Sequence, residues 1–112
     1  MQYRIKDIKL AKQGKNKIAL AEKEMPVLRQ LISDFTKNQP FKNVNIACCL
    51  HVTKETAVLM KVLVMGGADV SLCGSNPLST QDDVAAVLAE QGIKVFAWRG
   101  ISSDKYYWCL NK

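Results

Sequence analysis

From residue 43 onward, short apolar segments alternate with segments that have the apolar periodicity of a helix. Six segments follow this alternation: 44–50, 53–65, 69–73, 79–91, 94–98 and 104–110. Strands that alternate with helices predict a parallel sheet with right-handed crossovers. The first strand segment is apolar at nearly every position, which predicts burial on both faces. The sequence therefore predicts an α/β fold with a Rossmann-like open parallel sheet of three strands.

Helical patterns alone occupy the region before this alternation. After an extended lead-in over residues 1–9, one helix is predicted from Leu10 to Met25. Pro26 suits the first turn of a second helix, which carries apolar residues at helical spacing up to Phe35 and is followed by a connection over 36–42. We therefore predict an N-terminal helical segment at 1–42 and a partial α/β domain at 43–112.

The predicted sheet is thin, because open sheets usually have about 4–6 strands. The chain also stops at Asn111-Lys112, in or just after a helix, without a capping signal. These two features predict a fragment, or a chain that needs a partner to complete its sheet.

The net charge of +6 raises the question of a nucleic-acid partner. Many of the basic residues precede residue 30 and are spread along a predicted solvated helix, without a basic run or interleaved aromatics. No nucleic-acid partner is therefore predicted. The four cysteines contain no C-x-x-C pair, which predicts no metal site and favours buried, reduced thiols. No leader-like or membrane-spanning apolar run is found, so a cytoplasmic location without membrane contact is expected.

The only histidine, His51, directly follows the first predicted strand. In an open α/β sheet, ligands bind beyond the carboxyl ends of the strands, and an imidazole can both give and take a proton. Thr53, Glu55 and Thr56 open the next helix, where a hydroxyl and a carboxylate can hydrogen-bond a purine edge. Two simpler explanations stay open: Thr53 and Glu55 suit a helix start, and His51 can be satisfied by a loop carbonyl.

A second polar turn follows the second strand. Ser79 and Asp82 form a near capping box there, with Gln81 between them, and the turn is expected at the same end of the sheet as His51. Neither a G-x-G-x-x-G dinucleotide fingerprint nor a G-x-S-x-G nucleophile elbow is present.

Longer blocks of sequence are more specific than these patterns. Five blocks occur in one order: Asp7–Gly14, Ala21–Pro26, Cys49–Leu59, Ser75–Asp82 and Phe96–Gly100. They resemble the S-adenosylhomocysteine hydrolase (adenosylhomocysteinase) family across nearly the whole chain. The resemblance implies the N-terminal part of a substrate-binding domain, with the NAD-binding domain absent from this chain.

The resemblance also implies a reaction: reversible, NAD-dependent hydrolysis of S-adenosyl-L-homocysteine to adenosine and L-homocysteine in the methyl cycle. In the family, NAD oxidises the ribose 3′-hydroxyl so that the C4′ proton can leave and homocysteine is expelled. His51 matches an acid/base residue. Matches to the substrate contacts are Thr53, Glu55, Thr56, Gln81, Leu50 and Ser79. Gln81 also matches a residue associated with a monovalent cation in some members, and the family is usually a homotetramer.

Several positions depart from the family pattern, among them Cys48, Asp83 and the Asn76–Leu78 segment. The last two are similar to a shorter microbial subtype with a variant purine preference. Two alternatives to the enzyme are a non-catalytic nucleoside-binding module and a basic nucleic-acid binder. The chain by itself is expected to be inactive.

Overall fold

The computed structural model describes residues 3–111, and it contains five α-helices and three β-strands in that range. A 3-10 turn at Ile8–Leu10 precedes them. The elements are α1 (Ala11–Lys23), α2 (Pro26–Asn38), β1 (Asn45–Cys49), α3 (Lys54–Met65), β2 (Asp69–Cys73), α4 (Asp82–Glu90), β3 (Lys94–Phe96) and α5 (Ser103–Leu110). Among these residues, none of the helices combines the length and apolarity needed to cross a bilayer.

The three strands form one parallel sheet in the order β1-β2-β3, which confirms the predicted α/β class. Val70 and Leu72 of β2 point to one face, where they meet buried side chains of α3 and α4 such as Met60 and Leu88. Leu72 lies in register with Val95 of β3, so the same core continues across the sheet. The burial of aliphatic side chains between these layers is the main source of stability, at roughly 25 cal/mol per Å² of apolar surface.

Helix α5 lies on the opposite face of the sheet. Its Cys109 is buried and lines a small cavity with Ala47 and Ser71, and the ring of Trp108 packs edge-on against Phe96 at 6.0 Å between centroids. The chain therefore places α3 and α4 on one face and α5 on the other. The chain crosses from one face of the sheet to the other after β3.

The prediction of a β1 buried on both faces is wrong. Ile46 and Cys48 are half-buried against α3 and its neighbours, whereas Asn45, Ala47 and Cys49 are exposed. The reason is positional, because β1 is an edge strand and α5 covers the outer face only in part. The expectation of buried thiols is likewise wrong for Cys49, although all four cysteines are free, as expected.

Several predicted boundaries also need correction. Helix α4 begins at Asp82 rather than at Ser79, and the Asp82 carboxylate accepts from the Arg99 amide at 2.9 Å instead of completing a capping box. Helix α2 continues to Asn38, into the predicted connection, and β3 ends at Phe96. The lead-in is not wholly extended, because it contains the 3-10 turn. Met1 and Gln2 lie outside the described residues.

Helix α1 crosses α4 at very close range. A Cβ atom on Gly14 would lie 2.2 Å from the carbonyl oxygen of Asp83, so only glycine allows this approach. The close approach brings Lys17 and Gln13 within 3.0 Å and 3.2 Å of the Asp83 carboxylate. The side chain of Asp83 is only 4% exposed, and the amide of Val84 also donates to it at 2.9 Å.

Asp83 makes the stability of the chain sensitive to acid. Burial acts to raise its pKa, but the hydrogen bond and charge of Lys17 outweigh burial, so the pKa is lowered. A lowered folded-state pKa means that the ionised carboxylate stabilises the fold fully above the ordinary value of about 3.9. That contribution is lost as the pH falls through the folded-state pKa.

We expect Asp83→Asn to remove about 1–2 kcal/mol of stability at neutral pH, a modest figure because Lys17 remains partly in solvent. Urea unfolding between pH 7 and pH 2 measures this loss. The difference in the free energy of unfolding between wild type and variant should shrink below about pH 4. Asp34→Asn, at an exposed carboxylate on α2, is the matched control and should change little. An Asp83→Asn variant as stable as wild type at pH 7 would contradict the role assigned to this ion pair.

Candidate functional site

The turn between β1 and α3 places His51 at the carboxyl end of the sheet. The amide of Leu50 still donates to the Cys73 carbonyl at 3.1 Å, and the amide of Thr53 donates to the His51 carbonyl at 3.0 Å. Thr53 then caps α3, because its Oγ1 accepts from the Thr56 amide at 3.4 Å. The predicted cap is therefore confirmed, and the turn is held by backbone contacts on both sides of the histidine.

Of the polar side chains at the start of α3, two threonines hydrogen-bond each other and one glutamate is exposed. The Thr53 hydroxyl donates to Oγ1 of Thr56 at 3.3 Å, so the proton of the Thr53 hydroxyl is already used in a hydrogen bond within the chain. Glu55 lies in the first turn and is exposed, and Leu50 is 37% exposed. A carboxylate and an apolar side chain are therefore available to a ligand beside His51.

The side chain of His51 contacts the turn that follows β2. Its Nδ1 lies 2.7 Å from Oγ of Ser79 and 3.3 Å from Oγ of Ser75. Ser79 was a predicted site residue, but Ser75 was not singled out as one. The position of Ser75, two residues beyond β2 in the loop that faces the β1 turn, is the feature of the sequence that could have identified it as a site residue. Backbone contact supports the same geometry, because the Ser75 amide donates to the Leu50 carbonyl at 3.2 Å.

Gln81 joins the two turns through its backbone, since its amide donates to the Val52 carbonyl at 2.8 Å. Its side chain lines a cavity of about 280 Å³, formed with residues of α1 and with Arg99, in which His51, Thr53 and Glu55 take no part. Within residues 3–111, Oε1 of Gln81 is buried without a hydrogen-bond partner. A buried acceptor of this kind usually has a partner, so this oxygen is a candidate ligand contact.

The thiols beneath the site are not candidate nucleophiles. Burial and a hydrogen bond with Cys49 raise the pKa of Cys73 to about 12, and burial also raises the pKa of Cys48. Both side chains therefore stay protonated near neutral pH, and a protonated thiol is a poor nucleophile. Proton transfer through His51 is the chemistry that the arrangement best supports.

The described residues offer neither a cluster of acidic, histidine or cysteine metal ligands nor a cradle for a dinucleotide at the β1–α3 turn. No group of three His, Cys, Asp or Glu side chains in residues 3–111 is placed to hold a metal ion. The β1–α3 turn has no glycine to admit a pyrophosphate. The first turns of α3 and α4 carry Glu55, Asp82 and Asp83, whose charges oppose phosphate binding at these helix starts.

Comparison with known proteins agrees with the resemblance in the sequence. Residues 2–112 match the family model of S-adenosyl-L-homocysteine hydrolase. The chain is 56% identical over 107 residues to adenosylhomocysteinase of Saccharolobus solfataricus, covering 96% of this chain and 26% of that protein. The adenosylhomocysteinase of Sulfurisphaera tokodaii is 57% identical with the same coverage.

A further relative carries a different name. The S-inosyl-L-homocysteine hydrolase of Methanocaldococcus jannaschii is 47% identical over 110 residues, covering 98% of this chain and 26% of that protein. The chain thus spans about a quarter of the length of these curated relatives. Because the family model matches nearly every residue, the chain belongs to the S-adenosyl-L-homocysteine hydrolase family.

Proposed function

We propose that this chain is the N-terminal part of an enzyme that hydrolyses S-adenosyl-L-homocysteine. The reaction adds one water molecule across the C5′–sulfur bond and yields adenosine and L-homocysteine, reversibly, as part of the methyl cycle. The observation that carries the proposal is the position of His51 at the carboxyl end of β1, in contact with the next βα turn, in a chain of this family.

In this proposal His51 is the general acid and base beside the ribose and the leaving sulfur. Its exposed imidazole can take a proton from one reacting group and return it to another. The residues proposed to contact the substrate are Thr53, Glu55, Thr56, Gln81, Leu50 and Ser79. The exposed carboxylate of Glu55 supports a purine contact, because it accepts from N–H groups, whereas the proposed contact of Gln81 follows from the resemblance.

The nicotinamide cofactor of the proposed reaction has no evident place on the described residues, as the glycine-free β1–α3 turn and the acidic starts of α3 and α4 indicate. We propose that NAD binds to a separate domain, in the three quarters of the relatives' length that this chain does not cover. Residues 1–42 then form an N-terminal helical segment and residues 43–112 a partial substrate-binding domain. No step on this chain's residues is assigned to the cofactor.

The free edge of β1 supports the idea of a partial domain. The carbonyl oxygen of Val44 and the amide of Leu50 both hydrogen-bond to β2. Successive residues of a strand direct their backbone groups to opposite sides. The amides of Asn45, Ala47 and Cys49 therefore face away from β2. The sheet order and the change of sides by α5 match the first half of a doubly wound sheet, in which the fourth strand pairs with the first. A strand added there would place His51 at the crevice where such folds bind ligands.

The remaining partners follow the resemblance alone. We propose a homotetramer for the longer protein, with S-adenosyl-L-homocysteine, adenosine and homocysteine as its ligands. A cytoplasmic location is proposed because the four cysteines are free thiols, which is usual in a reducing compartment.

We expect the 112-residue chain alone to release no homocysteine from S-adenosyl-L-homocysteine, with or without added NAD, because residues 3–111 offer no dinucleotide site and NAD is proposed to bind to a separate domain. A thiol-reactive dye would measure homocysteine after separation of the protein, whose own thiols would otherwise react. Release above the uncatalysed rate would contradict the proposed division of labour. Calorimetric titration with adenosine tests the alternative, since a self-sufficient nucleoside-binding module would bind at micromolar concentrations.

A further inference from the structure

The Nδ1 atom of His51 lies between two hydroxyl groups. Oγ of Ser79 is 2.7 Å away and Oγ of Ser75 is 3.3 Å away, and both belong to the β2–α4 loop. Within residues 3–111, the structure gives Nε2 of His51 no hydrogen-bond partner, and the residue is exposed. The two ring nitrogens therefore have different surroundings: Nδ1 is engaged by the protein, and Nε2 has no partner among the described residues.

The hydrogen-bond chain beyond Ser79 has a direction. A serine hydroxyl has one proton to donate, and Oγ of Ser79 donates to the Asn76 carbonyl at 3.4 Å. A carbonyl oxygen can only accept, so it is the acceptor end of the chain. With its proton directed there, Ser79 can only accept from His51, which requires a proton on Nδ1.

We propose that Ser79 is a positioning residue that holds His51 in the Nδ1–H tautomer, with the lone pair of Nε2 directed into the crevice. The tautomer of a histidine is set by the bond that the opposite nitrogen makes. The catalytic meaning of this arrangement rests on the proposed function, but the tautomer itself does not. Ser75, at the longer distance, is a secondary acceptor for the same N–H.

Hydrogen bonds within the loop, and from the segment after β3, hold the loop that carries Ser79 in place. Oδ1 of Asn76 accepts from the Leu78 amide at 2.7 Å, and Nε of Arg99 donates to the Leu78 carbonyl at 3.0 Å. The Gly100 amide donates to the Pro77 carbonyl at 2.9 Å. These contacts tie the loop to the segment after β3, so the hydroxyl has a defined position against which the imidazole can align.

This arrangement suits an imidazole that takes up and returns one proton. When Nε2 accepts a proton, the N–H on Nδ1 stays bonded to Ser79, and no group has to rearrange. The bond also strengthens, because the donor becomes charged.

Nitrogen NMR of the chain labelled with ¹⁵N-histidine tests the tautomer directly, because the chain has one histidine. At a pH where the imidazole is neutral, we expect the downfield resonance of an unprotonated nitrogen to belong to Nε2. In Ser79→Ala the population should shift toward the Nε2–H tautomer, whereas Ser79→Thr, which keeps the hydroxyl, should preserve the wild-type pattern. Ser33→Ala, at an exposed serine of α2, is the matched control and should leave the spectrum unchanged.

A downfield Nδ1 in the wild-type chain would overturn the inference, and so would an unchanged spectrum in a folded Ser79→Ala variant. Neither result needs substrate, so the failure of this inference is distinguishable from failure of the proposed function. In a longer, NAD-containing protein, the same variant should lower kcat by roughly tenfold or less with a smaller change in KM, and threonine should restore it.

Discussion

Replacement of His51 by asparagine is expected to lower the turnover of S-adenosyl-L-homocysteine by roughly 10²–10⁴-fold in a longer protein that carries this chain. Asparagine keeps a polar side chain of similar size, but its amide cannot exchange a proton near neutral pH. The loss therefore measures general acid–base catalysis rather than the shape of the turn. Steady-state release of homocysteine at saturating substrate is the measurement.

Two controls accompany this variant. Circular dichroism and thermal unfolding should match those of the wild type, because His51 is exposed and its ring is held by hydrogen bonds to two serine hydroxyls rather than by burial in the core. Glu24→Gln, at an exposed carboxylate just after α1, should retain full turnover. A His51→Asn protein that turns over at a near-normal rate would remove His51 from its proposed role.

The second large effect is expected at Gly14, where the fold itself is at stake. Gly14→Ala places a methyl group 2.2 Å from the Asp83 carbonyl oxygen and 2.8 Å from Cγ2 of Val87. The first of these atoms is backbone, so no rotamer change relieves the clash and α1 must move away from α4. The cost lies at the upper end of overpacking, about 3 kcal/mol, and it exceeds the roughly 1 kcal/mol that alanine gains over glycine in a helix.

We therefore expect Gly14→Ala to lose about 2 kcal/mol, which lowers Tm by about 10 °C for a domain of this size. Thermal unfolding followed by circular dichroism measures the shift. Asn16→Ala, an exposed position on the same helix, is the control and should be neutral or slightly stabilising. Equal or higher stability of Gly14→Ala would show that α1 does not pack on α4 as described.

The periodicity of the sequence was sufficient to predict the alternation of strands and helices. Apolar segments mark β1, β2 and β3, glycines at 66, 67 and 92 follow α3 and α4, and Thr53 caps α3 as its residue type suggests. The exposure of β1 was not predictable in this way, because periodicity does not say which strand lies at an edge. Once the order β1-β2-β3 is known, the alternation of exposed Ala47 and half-buried Cys48 is a direct consequence.

The site was predicted in part for a similar reason. His51 and Ser79 each follow a strand, so their end of the sheet was predictable from the sequence. Their contact was not, because it depends on β1 and β2 being neighbours and on the path of the loop between them. Ser75 was missed as a site residue, since its position after β2 was the only signal and a serine in a polar loop carries none by its residue type. Asp83 and Gly14 became a pair only through the packing of α1 on α4.

The main proposal is that this chain provides the side of the active site that carries His51 in an S-adenosyl-L-homocysteine hydrolase. Its most direct test is the release of homocysteine and adenosine by a protein of the relatives' length that begins with these 112 residues and is loaded with NAD. We predict equimolar release of both products from S-adenosyl-L-homocysteine, abolished or strongly reduced by His51→Asn. A folded, NAD-loaded protein that releases neither product from S-adenosyl-L-homocysteine would contradict the claim.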